Sequence, residues 1–375
     1  MTGLDPAAAA AAYLQRLPLA ARDAAPASTL TGEILLAASV VVVMLAAWAV
    51  AGSGLLQRIE DRMQAAGRPR WMADAACGGA LAGLIGLSLA PLALIGAGHA
   101  AAGMAALLAA LRQAAVLSLL GAVLAPGAYA LMRWSPRLWA PVLGGFAAAA
   151  VFAMLWLPFA TASGPAQLAP APPGPARAGL VRLIAETGIP ASEVYVSANP
   201  AIDADVTGQG GARVVVSRGL WNIASPQELR ASVGHLIGHY TRHDQLSIAV
   251  LLAVLTLGFF LALQAFHAPA ARLLGLSADR LDPAGAPALV LIAAVWLSLA
   301  AIADHALIRA VNVRADQYSL DHAREPDGLA VALLHEWQGE DPAPAPLQEA
   351  LLYSHPSLES RLLHAMRWKA AHPEG

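Results

Sequence analysis

Cysteine, lysine and charge are all scarce in this 375-residue chain. Cys77 is the only cysteine, which excludes an intrachain disulfide and any thiolate metal cluster. It lies in an apolar run, where an inert buried thiol is expected. Lys369 is the only lysine. With abundant Ala, Gly and Pro, the preference for arginine reads as coding bias of a GC-rich bacterial genome, and no function follows from it. Charged residues make up 13% of the chain and the net charge is −2, so no basic surface points to nucleic acid. The first 28 residues lack a positively charged start followed by an apolar run, so no cleavable leader is expected there. A short surface helix or partial disorder is the expectation for them.

What the chain has instead is apolar residues, 58% of the total at a mean hydropathy of +0.57. They are concentrated in blocks. Six blocks are long enough to cross a bilayer: 34–56, 72–98, 114–132, 138–160, 246–266 and 286–307. Trp48, Trp71, Trp134, Trp139 and Trp156 fall mostly near block ends, where interfacial anchors belong. Buried helices of a large water-soluble protein are the alternative. The expected organisation is an N-terminal segment (1–33), a four-span region (34–163) and a Pro/Ala/Gly linker (164–176). A soluble segment (177–245), two further spans (246–308) and a second soluble segment (309–375) follow.

Arg58, Arg62, Arg68 and Arg70 sit between spans one and two, Arg133 and Arg137 between three and four, and Arg272 and Arg280 between five and six. In a six-span chain these loops share one side, which the positive-inside rule makes cytoplasmic. Both soluble segments then face the outer side of a bacterial inner membrane. In the first of them, a helix is expected over 178–187, strands over 194–197 and 213–217, and a helix capped by Ser225-Pro226.

That last helix carries His235 and His239, four residues apart and so on one face, able to ligate one metal ion. Alone the pair is weak evidence, since hydrogen-bonded histidines on a helix face are common. His243 continues the spacing. It is either a third ligand or, by preference, a polar residue at the membrane boundary.

The wider context is more specific. Gln227-Glu228-Leu229, His235-Leu236-Ile237-Gly238-His239 and Arg242-His243-Asp244 together resemble the catalytic helix of the CAAX prenyl protease and HtpX-type family of membrane zinc metallopeptidases. The family frame is an acidic pair, His-Glu-x-Gly-His and a later Asp. Upstream, Asp203-Ala204-Asp205-Val206-Thr207-Gly208 and the following strand are similar to its Asn-Ala-x-x-Thr-Gly segment. Downstream, residues 309–320 resemble the helix that supplies the third zinc ligand, and Ser354-His355-Pro356 with Glu359 and Arg361 resembles its Ser-His-Pro…Glu-Arg segment.

The resemblance implies a mainly α fold: a polytopic helical bundle of about six spans carrying a small α+β zincin-like domain. It implies zinc held by His235, His239 and the residue at 312, with Asp316 orienting a histidine. It implies substrate contacts from Asp203, Ala204 and Asp205. His355 and Arg361 would contact substrate or stabilise developing charge, or else simply cap a surface helix. Two departures are expected to matter. Leu236 stands at the general-base glutamate and cannot move a proton. Asn312 stands at the ligand glutamate and offers only a neutral amide oxygen. Asp244, Asp316 and Glu336 are the carboxylates that could substitute. The expectation is a catalytically impaired pseudoprotease with zinc weak or absent, embedded in the lipid bilayer and binding a peptide or membrane-protein partner. An active peptidase with an altered site and a structural membrane subunit are the alternatives.

Overall fold

The computed structural model describes residues 4–97, 100–161, 168–190, 193–208, 211–277 and 282–373. Arg280 and parts of the Pro/Ala/Gly linker and of the 207–211 turn lie outside them. The helices are α1 (Pro6–Leu14), α2 (Leu19–Ser53), α3 (Leu55–Ala65), α4 (Arg70–Ser88), α5 (Ala90–Ala97), α6 (Ala100–Trp134) and α7 (Trp139–Ala160). Strand β1 (Leu168–Pro170), α8 (Pro175–Thr187), β2 (Val194–Ser197), β3 (Ala204–Thr207) and β4 (Arg213–Ser217) follow. Then come α9 (Arg218–Ile223), α10 (Pro226–Thr241), α11 (Asp244–Leu273), α12 (Ala286–Ala323), α13 (Pro326–Glu336), α14 (Pro346–Leu352) and α15 (Leu358–Ala371).

Six helical segments are long and apolar enough to span a membrane, and they coincide with the six apolar blocks of the sequence. In the most apolar window of each, at most 17% of residues are buried. Side chains such as Leu45, Leu119, Val123, Phe146 and Leu297 point outward. A water-soluble protein hides such helices; helices that display them need lipid around them. This excludes the buried-helix alternative. The first apolar helix begins at Leu19, well before residue 34, and stops at Gly54, which adopts a left-handed φ of 61° and starts α3.

The chain divides into two compact units. One comprises 30–149 and 253–301. Its tightest contact is between α4 and α6, where Gly78 and Gly121 face each other. A Cβ on Gly121 would stand 2.4 Å from the Gly78 carbonyl oxygen, so only glycine admits the approach. Arg133 closes this pair with a two-pronged hydrogen bond to buried Asp74, at 3.0 and 2.6 Å. Trp139, Cys77, Tyr129 and Leu56 fill the core. The Cys77 thiol is buried there and donates to the Leu56 carbonyl at 3.5 Å.

The other unit comprises 1–29, 150–252 and 302–375. Its four-stranded sheet has the order β1-β2-β4-β3. The β2–β4 pair is parallel, while β1–β2 and β3–β4 are antiparallel. Leu180 and Leu183 of α8, Val194, Val214 and Val216 of the sheet, and Leu229, Val233 and Ile237 of α10 form one core. A second core joins Ala231 of α10 to Leu320, Leu333, Leu362 and Met366, and to Ala10 and Leu17 near the N-terminus. Helix α10 thus lies between two apolar clusters, which fixes it firmly. The N-terminal helix is well formed. Asp5 accepts from the Ala7 N–H at 3.0 Å, Pro6 occupies the first turn, and the Tyr13 hydroxyl donates to Asp327 at 2.7 Å.

Candidate metal site on helix α10

Ser225 starts α10, its Oγ accepting from the Glu228 N–H at 3.2 Å. Two glycines on α10 set what happens next. A Cβ on Gly234 would meet Ser319 Oγ at 3.0 Å, and one on Gly238 would meet Tyr318 Cβ at 3.0 Å and Ala315 Cα at 3.1 Å. Their bare faces let α12 approach closely. Asp316 is thereby carried to His235, whose Nδ1 is 2.8 Å from Asp316 Oδ1. Arg361 of α15 holds the same carboxylate from the other side, Nε to Oδ2 and Nη2 to Oδ1, both at 2.7 Å. Asp316 is almost wholly buried, so this double pairing keeps its charge compensated.

His239 is held in the same manner by a different residue. Its Nδ1 is 2.8 Å from Asp244 Oδ2, and Arg314 Nη2 donates to Asp244 Oδ1 at 3.2 Å. In a continuous helix Asp244, five residues beyond His239, would lie more than a turn away, and His243 would share the His235–His239 face. The structure departs from that continuous helix. Helix α10 ends at Thr241, His243 takes a left-handed φ of 55°, and α11 restarts at Asp244. His243 therefore leaves the His235–His239 face, and the turn brings Asp244 back to His239. No glycine or proline announces the break.

The two imidazoles meet edge to face, with Nε2 atoms 3.0 Å apart. Each Nδ1 is oriented by a carboxylate, which leaves the two Nε2 atoms facing each other. Burial draws the His239 pKa below the ordinary imidazole range; the Asp244 hydrogen bond opposes this and His235 adds to it.

Other expected site residues are placed as follows. Leu236 is partly buried and packs on the apolar core of the sheet and α10. Asn312 is buried, and its Nδ2 donates to the Ile308 carbonyl of its own helix at 2.8 Å. Among the described residues no group of three or more His, Cys, Asp or Glu could hold a metal ion. His355 is exposed at the surface, bonded through Nδ1 to Ser354 Oγ at 3.0 Å. Although the ring reaches solvent, the protein around it draws its pKa down, first by partial desolvation and then through Arg361, with His235 and His239 adding to this and Glu340 opposing it. Arg361 is engaged by Asp316 through Nε and Nη2. Glu336 ends α13, whereas its neighbour His335 hydrogen-bonds buried Glu228 at 2.6 Å. Ala204 and Asp205 lie on edge strand β3, with Asp203 just before it. The Tyr240 hydroxyl donates to the Gly208 carbonyl at 2.9 Å, fixing the end of that strand against α10.

The comparison with known proteins is decisive on ancestry. The model of peptidase family M48 matches residues 176–369, more than half of the chain. The chain belongs to peptidase family M48. Among solved structures this M48 protein is similar to that of S. mikatae Ste24p, at 16% identity and a TM-score of 0.50. The alignment covers 77% of this chain and 74% of that one. At such identity the likeness concerns the fold: a multi-pass helical membrane protein with a small sheet-bearing domain.

The zinc associated with the family can be tested against these donors. His235 and His239 fit, since their Nε2 atoms converge and their Nδ1 atoms are oriented by carboxylates. The third position does not fit. Asn312 offers a neutral amide oxygen where a carboxylate would bind, and Asp316 could turn towards a metal only by leaving Arg361 and His235. A catalytic zinc with three protein ligands is not supported by this set.

Proposed function

We propose that this M48 membrane protein is a catalytically impaired member that binds a peptide or membrane-protein partner without cleaving it. Leu236 carries the reading. It stands between two correctly oriented histidines, at the position where hydrolysis needs a proton acceptor, and an alkyl side chain offers none. General-base assistance contributes about 10²–10⁴-fold to such reactions. The nearby carboxylates do not compensate, because Asp244 and Asp316 are each taken up by an imidazole and a guanidinium. What the site retains is a recognition surface. Strand β3 ends the sheet beside α10, and an extended peptide can add to such an edge through main-chain hydrogen bonds, with Asp203 and Asp205 next to it.

The test is metal content and peptide cleavage of the detergent-purified chain, compared with His235→Ala/His239→Ala and with Leu236→Glu/Asn312→Glu. The wild type is expected to carry clearly less than equimolar zinc and to leave peptides intact. The double glutamate variant is expected to gain both zinc and cleavage. Equimolar zinc with cleavage in the wild type, both lost with the histidines, would establish an active peptidase with an altered site instead.

A further inference from the structure

Helix α14 is built inside out for a helix in water. It has no buried residue, and its three leucines, Leu347, Leu351 and Leu352, are 71%, 39% and 40% exposed. Its polar side chains are used internally: Gln348 Oε1 accepts from the Ala345 N–H at 3.3 Å, and Glu349 Oε1 accepts from the Ser357 N–H at 3.2 Å. A surface helix in water normally shows the reverse, polar residues outward and leucines inward.

Its position explains the inversion. Arg309 of α12 donates through Nη2 to the Ala350 carbonyl at 2.7 Å and through Nη1 to the Tyr353 carbonyl. These are backbone groups in the last turn of α14 and at its end. Arg309 lies two residues after Leu307, where the last apolar block ends, about 3 Å further along the helix axis. Arginines at that depth ordinarily reach for lipid headgroups. Here both guanidinium arms hold α14 instead, so α14 sits at the level where the hydrocarbon ends.

We propose that α14 lies in the membrane–water interface of the bilayer that α12 crosses, its leucines sunk into the boundary between headgroups and acyl chains. The occupant of this apolar face is phospholipid. Ser354-His355 follows α14 directly, so the helix places the His355 side of the M48 domain at the membrane surface.

Nitroxide labels at Leu347→Cys and Leu351→Cys, in the full chain reconstituted into phosphatidylethanolamine/phosphatidylglycerol vesicles, test this. Arg182→Cys on α8 is the aqueous control, and the labelled parent chain is the blank for buried Cys77. Collisions with oxygen relative to a water-soluble nickel chelate are expected to be several-fold higher at 347 and 351 than at 182. A ratio equal to that at 182 would put the helix in water. Exclusion of both reagents would mean a protein covers the leucines. Either result overturns the proposal, and neither bears on whether the M48 site cleaves peptides.

Discussion

At the scale of single residues, Asp316 is the point on which the site turns. It is buried, yet it pairs with an imidazole and accepts from Nε and Nη2 of one guanidinium. Removing one partner of such a group leaves an uncompensated buried charge, at about 3–5 kcal/mol. Arg361→Met is therefore expected to lower the thermal midpoint sharply, whereas Arg361→Met/Asp316→Leu should recover much of the loss. A melting series in detergent over the two single variants and the double checks this, and additive losses would speak against the coupling. That His235 and His239 share one helix face was legible in the sequence, because their spacing of four places them there. Asp244 was not legible as the partner of His239. That contact depends on His243 adopting a left-handed backbone, and histidine gives no signal of it.

Among the elements, α1 shows how much a short helix can hold. It packs on α13 and α15 through Ala10, Leu17 and neighbouring residues, and a charged contact joins Tyr13 and Lys369 to Asp327. Desolvation would raise the Asp327 pKa, but the hydrogen bonds from Lys369 and Tyr13 outweigh it and the net shift is downward. A lowered carboxylate pKa stabilises the fold above the unfolded value, near 3.9, and that contribution is lost as pH falls through the folded value. The attachment of α1 is thus expected to loosen on acidification below about pH 4. Limited proteolysis after Arg16 should rise there in the wild type and show less pH dependence in Asp327→Asn. The cap and proline of α1 could be read from Asp5-Pro6. Strand β1 could not, because three residues of a Pro-rich linker become a strand only by pairing with β2. Strands β2 and β4 were legible from their own β-branched runs.

For the molecule as a whole, six spans were legible because bilayer thickness imposes a minimum length on an apolar helix, and that length can be counted. Helix ends were less so: α2 continues far towards the N-terminus through residues of no particular hydropathy. Sidedness rests on the arginine-rich loops of the first two loop pairs and on Arg272, with Arg280 outside the described residues. The expectation is an outer-side M48 domain. An alkaline phosphatase fused after Gly375 should be active and a fluorescent protein at the same place dark; the opposite pattern would invert the topology.

The grip of Arg361 on Asp316 also dictates an order of events during synthesis. The aspartate leaves the ribosome with the sixth span, 45 residues ahead of the arginine. Until α15 emerges, Asp316 has no guanidinium, and His235 has an orienting partner that is itself unsupported. The site is therefore completed only after all six spans have been made. A chain halted between α12 and α15 would carry six spans around an unfinished centre, a species that cellular proteases could tell apart from the finished protein.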